Sequence, residues 1–262
     1  MIYILLPAYN EEENILTLLC QSDDEAAKFY YQESEPYPVH AVVVNDGSHD
    51  ATHDEAASFT GAIQVTVLDH EKNRGLAAAL RTGLDFILQE GEDDDFVLTL
   101  DADGTHKPEY LFKLVNKLSE GYDVVVASRY APGGKEIGVN VYRRLLSMGA
   151  RVCYRTFFSQ VPLRDFSCGF RGFRLSVLRK TVDRWGARML EMPGFACTGE
   201  LMLKALVQTE MHRVTEIPFE LHYEAKGGSS KMPALKTVLG TVQLLFKARG
   251  WLKDKPEPLS EE

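Results

Sequence analysis

The chain has 262 residues, of which 45% are hydrophobic, 26% charged and 10% aromatic, enough for one large globular domain or two small ones. Its 29 Lys and Arg against 38 Asp and Glu leave a net charge of -9, which excludes the cationic footprint of a nucleic-acid partner. No uninterrupted apolar run nears the roughly 20 residues of a membrane-spanning helix. Met1-Ile-Tyr-Ile-Leu-Leu6 runs into Pro7 without a basic flank, and reads as a buried strand instead of a secretion signal. Cys20, Cys153, Cys168 and Cys197 lie far apart with no Cys-x-x-Cys pair, as reduced thiols of a cytoplasmic protein would.

In chain order, residues 2–6, 41–44, 63–68, 96–100 and 124–127 are short, continuous apolar runs rich in β-branched residues. Such runs fit strands covered on both faces, as in a parallel sheet. Residues 22–38, polar and acidic, read as a helix tail and connecting loop. Residues 76–88 read as an amphipathic helix, with Leu76, Leu80, Leu84, Ile87 and Leu88 on one face. The acidic run 90–95 reads as a solvated loop before the fourth strand. Farther on, 198–208 is a helix candidate, 213–221 a strand and 234–249 a terminal helix, with a frayed tail over 254–262. The expected fold is α/β, a mostly parallel sheet flanked by helices, with the ligand crevice at the carboxyl ends of the strands.

Charge is unevenly distributed. Thirteen Lys and Arg but only three acids lie between Arg129 and Arg188, a local balance of about +10 in an acidic chain. That stretch reads equally as a solvated helix face or as a field for an anionic substrate.

Four polar turns follow predicted strands: Pro7-Ala-Tyr-Asn-Glu-Glu12, Asn45-Asp-Gly-Ser-His-Asp50, Asp101-Ala-Asp103 and Ser128-Arg-Tyr130. Singly, each has a plain structural explanation: Asn10 as a helix cap, Asp46-Gly47-Ser48 as an Asx turn, Asp101 and Asp103 as solvated strand-end acids. Together, at one edge of one sheet, they suit a nucleoside diphosphate. Asp-x-Asp aims two carboxylates at one space, as Mg²⁺ or Mn²⁺ shared with phosphate oxygens requires. Asp46 can accept hydrogen bonds from a base, and the helix start after Pro7 offers amides to ribose or phosphate. A phosphate-binding P-loop and a Gly-x-Gly-x-x-Gly turn are both missing from the sequence, which argues against a kinase or a dinucleotide dehydrogenase.

These turns, with Asn73-Arg-Gly75, Asp101-Ala-Asp-Gly-Thr-His106 and Ala127-Ser-Arg-Tyr130, resemble family 2 glycosyltransferases of the GT-A (nucleotide-diphospho-sugar transferase) fold. Arg143-Arg-Leu-Leu-Ser-Met-Gly-Ala150, Asp165-Phe-Ser-Cys-Gly-Phe-Arg171 and Gly228-Ser-Ser-Lys231 are similar to the branch that includes dolichol-phosphate mannosyltransferases and other polyprenyl-phosphate glycosyltransferases. The resemblance implies a GT-A domain over residues 1–232, followed by a C-terminal amphipathic helix and polar tail over 233–262. It implies inverting, metal-dependent transfer of a sugar, with mannose from GDP-mannose favoured, to a polyprenyl phosphate. By the same resemblance Pro7, Tyr9, Glu11 and Asp46 hold the nucleoside. Asp101 lies near ribose, metal or sugar, and Asp103 ligates Mg²⁺ or Mn²⁺. Arg129, Arg143 and Arg171 meet the acceptor phosphate or donor diphosphate, Asp165 sits by the transferred sugar, and Ser230 with Lys231 closes over the diphosphate. Glu200 matches a family acid of less defined role.

Three positions depart from the family pattern or carry a plainer reading. Thr105 stands where the family often has a metal-ligating Gln, so a water held by Thr105 and an altered metal preference are expected. His106 reads as loop packing ahead of metal ligation. Glu224-Ala-Lys226 replaces an Arg ahead of the Gly-x-Ser-Lys turn, and Lys lacks the bidentate fork of Arg. A phosphate acceptor is already anionic, so no general base is required, and Asp165 is expected to position before it is expected to deprotonate. The terminal helix reads as a helix packed on the domain or as an interfacial one, which would place a cytoplasmic protein at the cytoplasmic face of a membrane by peripheral contact. Competing readings are a family 2 transferase using a UDP-sugar or a non-lipid saccharide acceptor, and a non-catalytic nucleotide-sugar sensor.

Overall fold

The structure, a computed structural model, describes residues 1–32, 37–139, 141–222 and 234–251. Strands β1 (Ile2–Ala8), β2 (Val39–Asn45), β3 (Gln64–Asp69), β4 (Phe96–Thr99), β5 (Val124–Ser128), β7 (Arg171–Arg174) and β8 (Val214–Pro218) form a seven-stranded sheet in the order β3-β2-β1-β4-β7-β5-β8. All neighbours run parallel except β7, which is antiparallel to both β4 and β5. Short strands β6 (Lys135–Ile137) and β9 (Glu220–His222) pair parallel in a second sheet.

The expected α/β architecture is therefore present, and the apolar runs at β1, β2, β4 and β5 are buried as their continuity predicts. The third run is an exception. β3 is an edge strand whose side chains are partly or wholly exposed, because it pairs only with β2. The single strand expected over 213–221 is divided at Phe219. Its amide donates to the Ser128 carbonyl at 3.0 Å, and its carbonyl accepts from Lys135, so the chain passes from the large sheet to the small one. The acidic run before β4 is only partly solvated: Asp93 pairs with Arg179 at 2.8 Å, and Asp95 is buried against the amino group of Met1. Helix α1 (Ile15–Gln32) extends well into the polar stretch read as helix tail, where the Ser22 hydroxyl bonds back to the Leu18 carbonyl.

Helices cover both faces of the sheet. After α2 (Thr52–Ala57) comes α3 (Leu76–Glu90), which lies close to β1 and β2 because Gly83 lacks a Cβ; one there would stand 2.2 Å from Leu5. α4 (Leu111–Ser119) approaches Gly172 through Leu114 and Leu118. Gly172 pairs with Leu98, which pairs with Ile4. Ile4 and Leu5 point to opposite faces by the two-residue period of a strand, which puts α3 and α4 on opposite sides. α6 (Leu175–Trp185), α7 (Ala196–Val207), α5 (Val141–Phe157) and α8 (Ala234–Trp251) form a helical cluster, with α7 packed on α6 and α8, and α8 on α5. α8 buries Leu244, Leu245 and Ala248 in this cluster and leaves Val242 and Phe246 exposed. The expected domain boundary at 232/233 lies outside the described residues.

One topological consequence governs the site. Since β7 runs against its neighbours, its amino-terminal end lies at the edge where β1, β2, β4 and β5 end. The segment preceding β7, 165–170, thereby joins the loops that follow the parallel strands.

Candidate active site

The loops after β1 and β2 hold each other. The Asn10 amide donates to Ser48 Oγ at 3.0 Å, and the His49 amide to Asn10 Oδ1 at 3.0 Å. The Glu11 amide donates to Thr52 Oγ1 at 2.8 Å, and the Ala51 amide to Glu12 Oε2 at 2.9 Å. Asn10 takes a left-handed backbone at φ 53°, which Asn tolerates better than most residues. Pro7, Tyr9 and Glu11 are half-buried along this loop, and the Tyr9 ring meets His49 edge to face.

Asp46 is buried and already heavily bonded. Oδ1 accepts the Arg74 amide at 2.9 Å and His70 Nδ1–H at 2.6 Å, and Oδ2 accepts the Gly75 amide at 2.8 Å. A carboxylate can only accept here, so His70 carries its proton on Nδ1. His70 Nε2 faces the Thr82 hydroxyl at 2.9 Å. The loop 70–75 lies so close that a Cβ on Gly47 would stand 2.3 Å from the Lys72 carbonyl carbon.

After β4, the Asp101 amide donates to His106 Nδ1 at 2.9 Å, leaving Nε2 as the protonated nitrogen, 3.9 Å from Asp101 Oδ2. His106 is buried, stacked on Phe170 and edge-on to Phe219, in line with the packing role expected of it. Asp103 Oδ1 accepts both the amide of Thr105 at 3.2 Å and its hydroxyl at 2.6 Å. The buried Thr105 hydroxyl thus gives its one proton to the carboxylate and keeps its oxygen lone pairs as acceptors. Among the described residues no three His, Cys, Asp or Glu side chains converge as a metal cage. Two hard carboxylates still fit Mg²⁺ or Mn²⁺, ions that retain water and complete their shell from substrate phosphates.

The segment 165–170 reaches Asp101 of this carboxylate pair. A Cβ on Gly169 would stand 3.4 Å from Asp101 Oδ1, and the Thr99 hydroxyl donates to the Gly169 carbonyl at 2.8 Å. At the start of that segment Asp165 is fully buried in a fork with Arg129: Nε to Oδ2 at 2.7 Å, Nη2 to Oδ1 at 2.9 Å. The amides of Arg129, Ser167 and Cys168 and the Ser167 hydroxyl complete its shell. Burial alone would raise the Asp165 carboxyl, but the Arg129 charge and these donors override it and hold it down to about 2. Arg129 also reaches Glu136 Oε1 at 3.1 Å and Ser167 Oγ at 2.6 Å, and is held protonated well above its usual range. Tyr130 donates to the same Glu136 oxygen at 3.1 Å and shares a hydrogen bond with Ser147 of α5.

Two expected phosphate contacts have other partners here. The guanidinium of Arg129 is committed to two carboxylates and a serine. Arg171 is buried, donating to the backbone carbonyls of Thr198 and Phe166, and desolvation pulls its pKa down. Both brace the loop from within. Glu200 is likewise fully buried, accepting the Glu191 and Met192 amides at 2.7 Å and pairing with buried Lys204 at 2.7 Å. Arg143 falls in the first turn of α5, but its side chain lies outside the described residues, as do Ser230, Lys231 and Lys226. Sequence reasoning missed Glu136 and His70, which stand in no recognisable local motif, and Ser167, which lies inside the motif of Asp165 without having been singled out.

The family model described as glycosyl transferase family 2 matches residues 3–182. The chain is 28% identical over 249 residues to a dolichol-phosphate mannosyltransferase of Pyrococcus furiosus, covering 95% of this chain but 63% of that relative's length. It is 32% identical over 251 residues to a polyprenol monophosphomannose synthase of Mycolicibacterium smegmatis, covering 95% of this chain and 85% of the other. Among solved structures, glucosyl-3-phosphoglycerate synthase of Mycobacterium tuberculosis, in complex with Mn²⁺, UDP and phosphoglyceric acid, superposes with a TM-score of 0.64 at 18% identity. That match covers 95% of this chain and 78% of the other, and establishes the GT-A fold.

Proposed function

We propose that this chain, which belongs to glycosyl transferase family 2, transfers one mannosyl unit from a nucleoside diphosphate donor to a polyprenyl phosphate, with inversion and with a divalent cation. The observation that carries the reading is the junction at Gly169, which puts the segment that begins at Asp165 against the Asp101 carboxylate. A donor and an acceptor must meet within one glycosyl unit, and this junction gives them adjoining walls. The names of the relatives supply the sugar and the acceptor class.

The roles follow from the contacts. Asp103, oriented by Thr105, and Asp101, backed by His106, would hold Mg²⁺ or Mn²⁺. The ion would neutralise charge on the departing diphosphate. Pro7, Tyr9 and Glu11 line the nucleoside end. Asp165, kept ionised and bonded on every side, is a positioning residue and a poor base. A phosphate monoester acceptor needs no base, so in-line placement and charge stabilisation suffice. Arg143, Ser230 and Lys231 are the groups proposed to meet the phosphates, since Arg129 and Arg171 are engaged elsewhere.

Among the described residues no helix is long and apolar enough to cross a membrane. Access to a lipid acceptor is proposed to come from a face shared by α5 and α8. There Met148 (50% exposed), Val152 (64%), Val242 (40%) and Phe246 (66%) are the outward apolar side chains. Arg155, Lys247 and Arg249 are exposed on the same two helices, the pattern of an interfacial surface drawn to anionic lipid.

The test is a screen of GDP- and UDP-sugars against short prenyl phosphates, with and without Mn²⁺, following released nucleotide and sugar-lipid product. Cation-dependent mannosyl transfer to a prenyl phosphate is expected. Transfer only to saccharides, or tight donor binding without transfer to any prenyl phosphate, would overturn the reading.

A further inference from the structure

The last turn of α6, the turn at 186–188, α7 and the last residue of α8 enclose a cavity of about 260 Å³. Its lining is Arg184, Trp185, Arg188, Glu191, Lys204 and Trp251, none of which has a task in the transfer proposed above. Trp185 and Trp251 are the two tryptophans of the chain, and their rings meet edge to face at 6.4 Å. Lys204 is fully buried, with Nζ 4.6 Å from the centre of the Trp251 ring and 5.7 Å from that of Trp185.

The cations of this lining are not equivalent. Lys204 donates to Glu200 Oε1 at 2.7 Å and to the carbonyls of Arg188 and Met189, with Glu191 3.9 Å away, so its three protons have partners. Arg188 is exposed and has no ion-pair partner among the described residues, and the Arg184 guanidinium stands 5.0 Å from the Trp185 ring. With Glu200 counted, the cluster holds three cations and two acids, a net positive cavity in a chain of net charge -9. Indole walls keep water from part of it, which strengthens an ionic contact made there. A guanidinium only donates, so a cation or an apolar ligand leaves both forks unmet. A phosphate monoester brings three acceptor oxygens and about two negative charges, against two oxygens and one charge for a carboxylate.

We infer that this cavity is a phosphate site separate from the transfer site, where Arg184 and Arg188 hold the terminal phosphate of a soluble ester or of a lipid headgroup. It goes beyond the transferase reading and does not depend on it. A phosphate there ties the end of α6 to the end of α8 across the indole pair. It also bears on residues 188–192, whose backbone Lys204 and Glu200 hold through the Arg188 and Met189 carbonyls and the Glu191 and Met192 amides.

Both tryptophans line the cavity, so the fluorescence of the intact protein reports on it directly. With EDTA present to keep cations off Asp101 and Asp103, wild type is titrated with inorganic phosphate, with glycerol 3-phosphate, and with phosphatidylcholine vesicles with and without phosphatidate; acetate at equal ionic strength is the control. A saturable change with either soluble phosphate, half-complete at about 1 mM or below as two charge-assisted contacts allow, supports the site and makes its ligand a soluble one. A change seen only with phosphatidate vesicles supports it and makes the ligand a headgroup. Arg188→Gln should weaken the response about 10-fold or more, the scale of losing one hydrogen bond to a charged group. Its melting temperature without ligand should not change, because that side chain has no ion-pair partner to lose among the described residues. No saturable change with any phosphate, an equal response to acetate, or an unaltered response in Arg188→Gln would overturn the inference and leave the transferase reading intact.

Discussion

Replacing Asp165 with Asn isolates the buried fork on which the candidate site is built. The carboxylate accepts from six donors: the amide, Nε and Nη2 of Arg129, the amide and hydroxyl of Ser167, and the amide of Cys168. Asn removes the charge and turns one acceptor into a donor that faces donors. Breaking a buried ion pair costs about 3–5 kcal/mol. Arg129 keeps Glu136 at 3.1 Å, so its charge is not orphaned, and the loss should fall at the low end, about 3 kcal/mol. An independent route agrees. A carboxyl held at about 2 in the folded chain, against an ordinary value near 4, contributes about 2–3 kcal/mol. Because the folded value is the lower one, this stability is complete above pH ~4 and is lost as pH falls toward 2. Urea unfolding of wild type and Asp165→Asn at pH 7, 5 and 3.5 should therefore show a gap that is constant at the first two and narrower at the third. A gap below about 1 kcal/mol at pH 7, or one that widens in acid, would refute the reasoning.

Asp103→Ala should leave the fold intact and lower cation-dependent transfer by about 100-fold or more, as loss of a metal's several kcal/mol of charge stabilisation requires; near-normal turnover in a folded variant would remove the carboxylate pair from the mechanism. Thr105→Val should weaken Mn²⁺ binding, read by electron paramagnetic resonance without donor, by about 10-fold or more, the scale of losing a hydrogen bond to a metal-ligating carboxylate. An unchanged affinity would mean that the 2.6 Å contact to Asp103 does not orient the ligand. Flotation with anionic liposomes should recover wild type and lose Val152→Asp/Phe246→Asp; equal flotation of both would exclude the α5–α8 face as the membrane contact.

Legibility followed the range of the interactions. β1, β2, β4 and β5 were readable because a strand buried on both faces must be apolar throughout. β3 was misread because the same composition also serves an edge strand. β7 gave no signal: Arg171-Gly-Phe-Arg174 is short and half cationic, and the buried Arg171 is bonded through Nη1 and Nη2 to the carbonyls of Thr198 and Phe166, residues outside the strand. Site residues clustered in motifs were legible as a set, but their tasks were not. Nothing local tells that Arg129 will meet Asp165, or that the amides after Asn73 will bond to Asp46. Thr105 is the reverse case: the departure from pattern was visible in sequence, and its contact was not.

The placement of β7 also bears on the order of assembly. Strands β1 to β4 can pair as soon as residue 99 is made, giving a nucleoside edge early. The gap between β4 and β5 is filled only when Thr99 meets Arg171, a long loop closure that must precede any contact of Gly169 with Asp101. Until it closes, a nascent chain carries two exposed strand edges at the heart of its sheet, the species most prone to pair with the wrong partner. The segment 165–170 thus takes its place beside Asp101 only after that closure, so no form with an unfilled centre carries the complete candidate site.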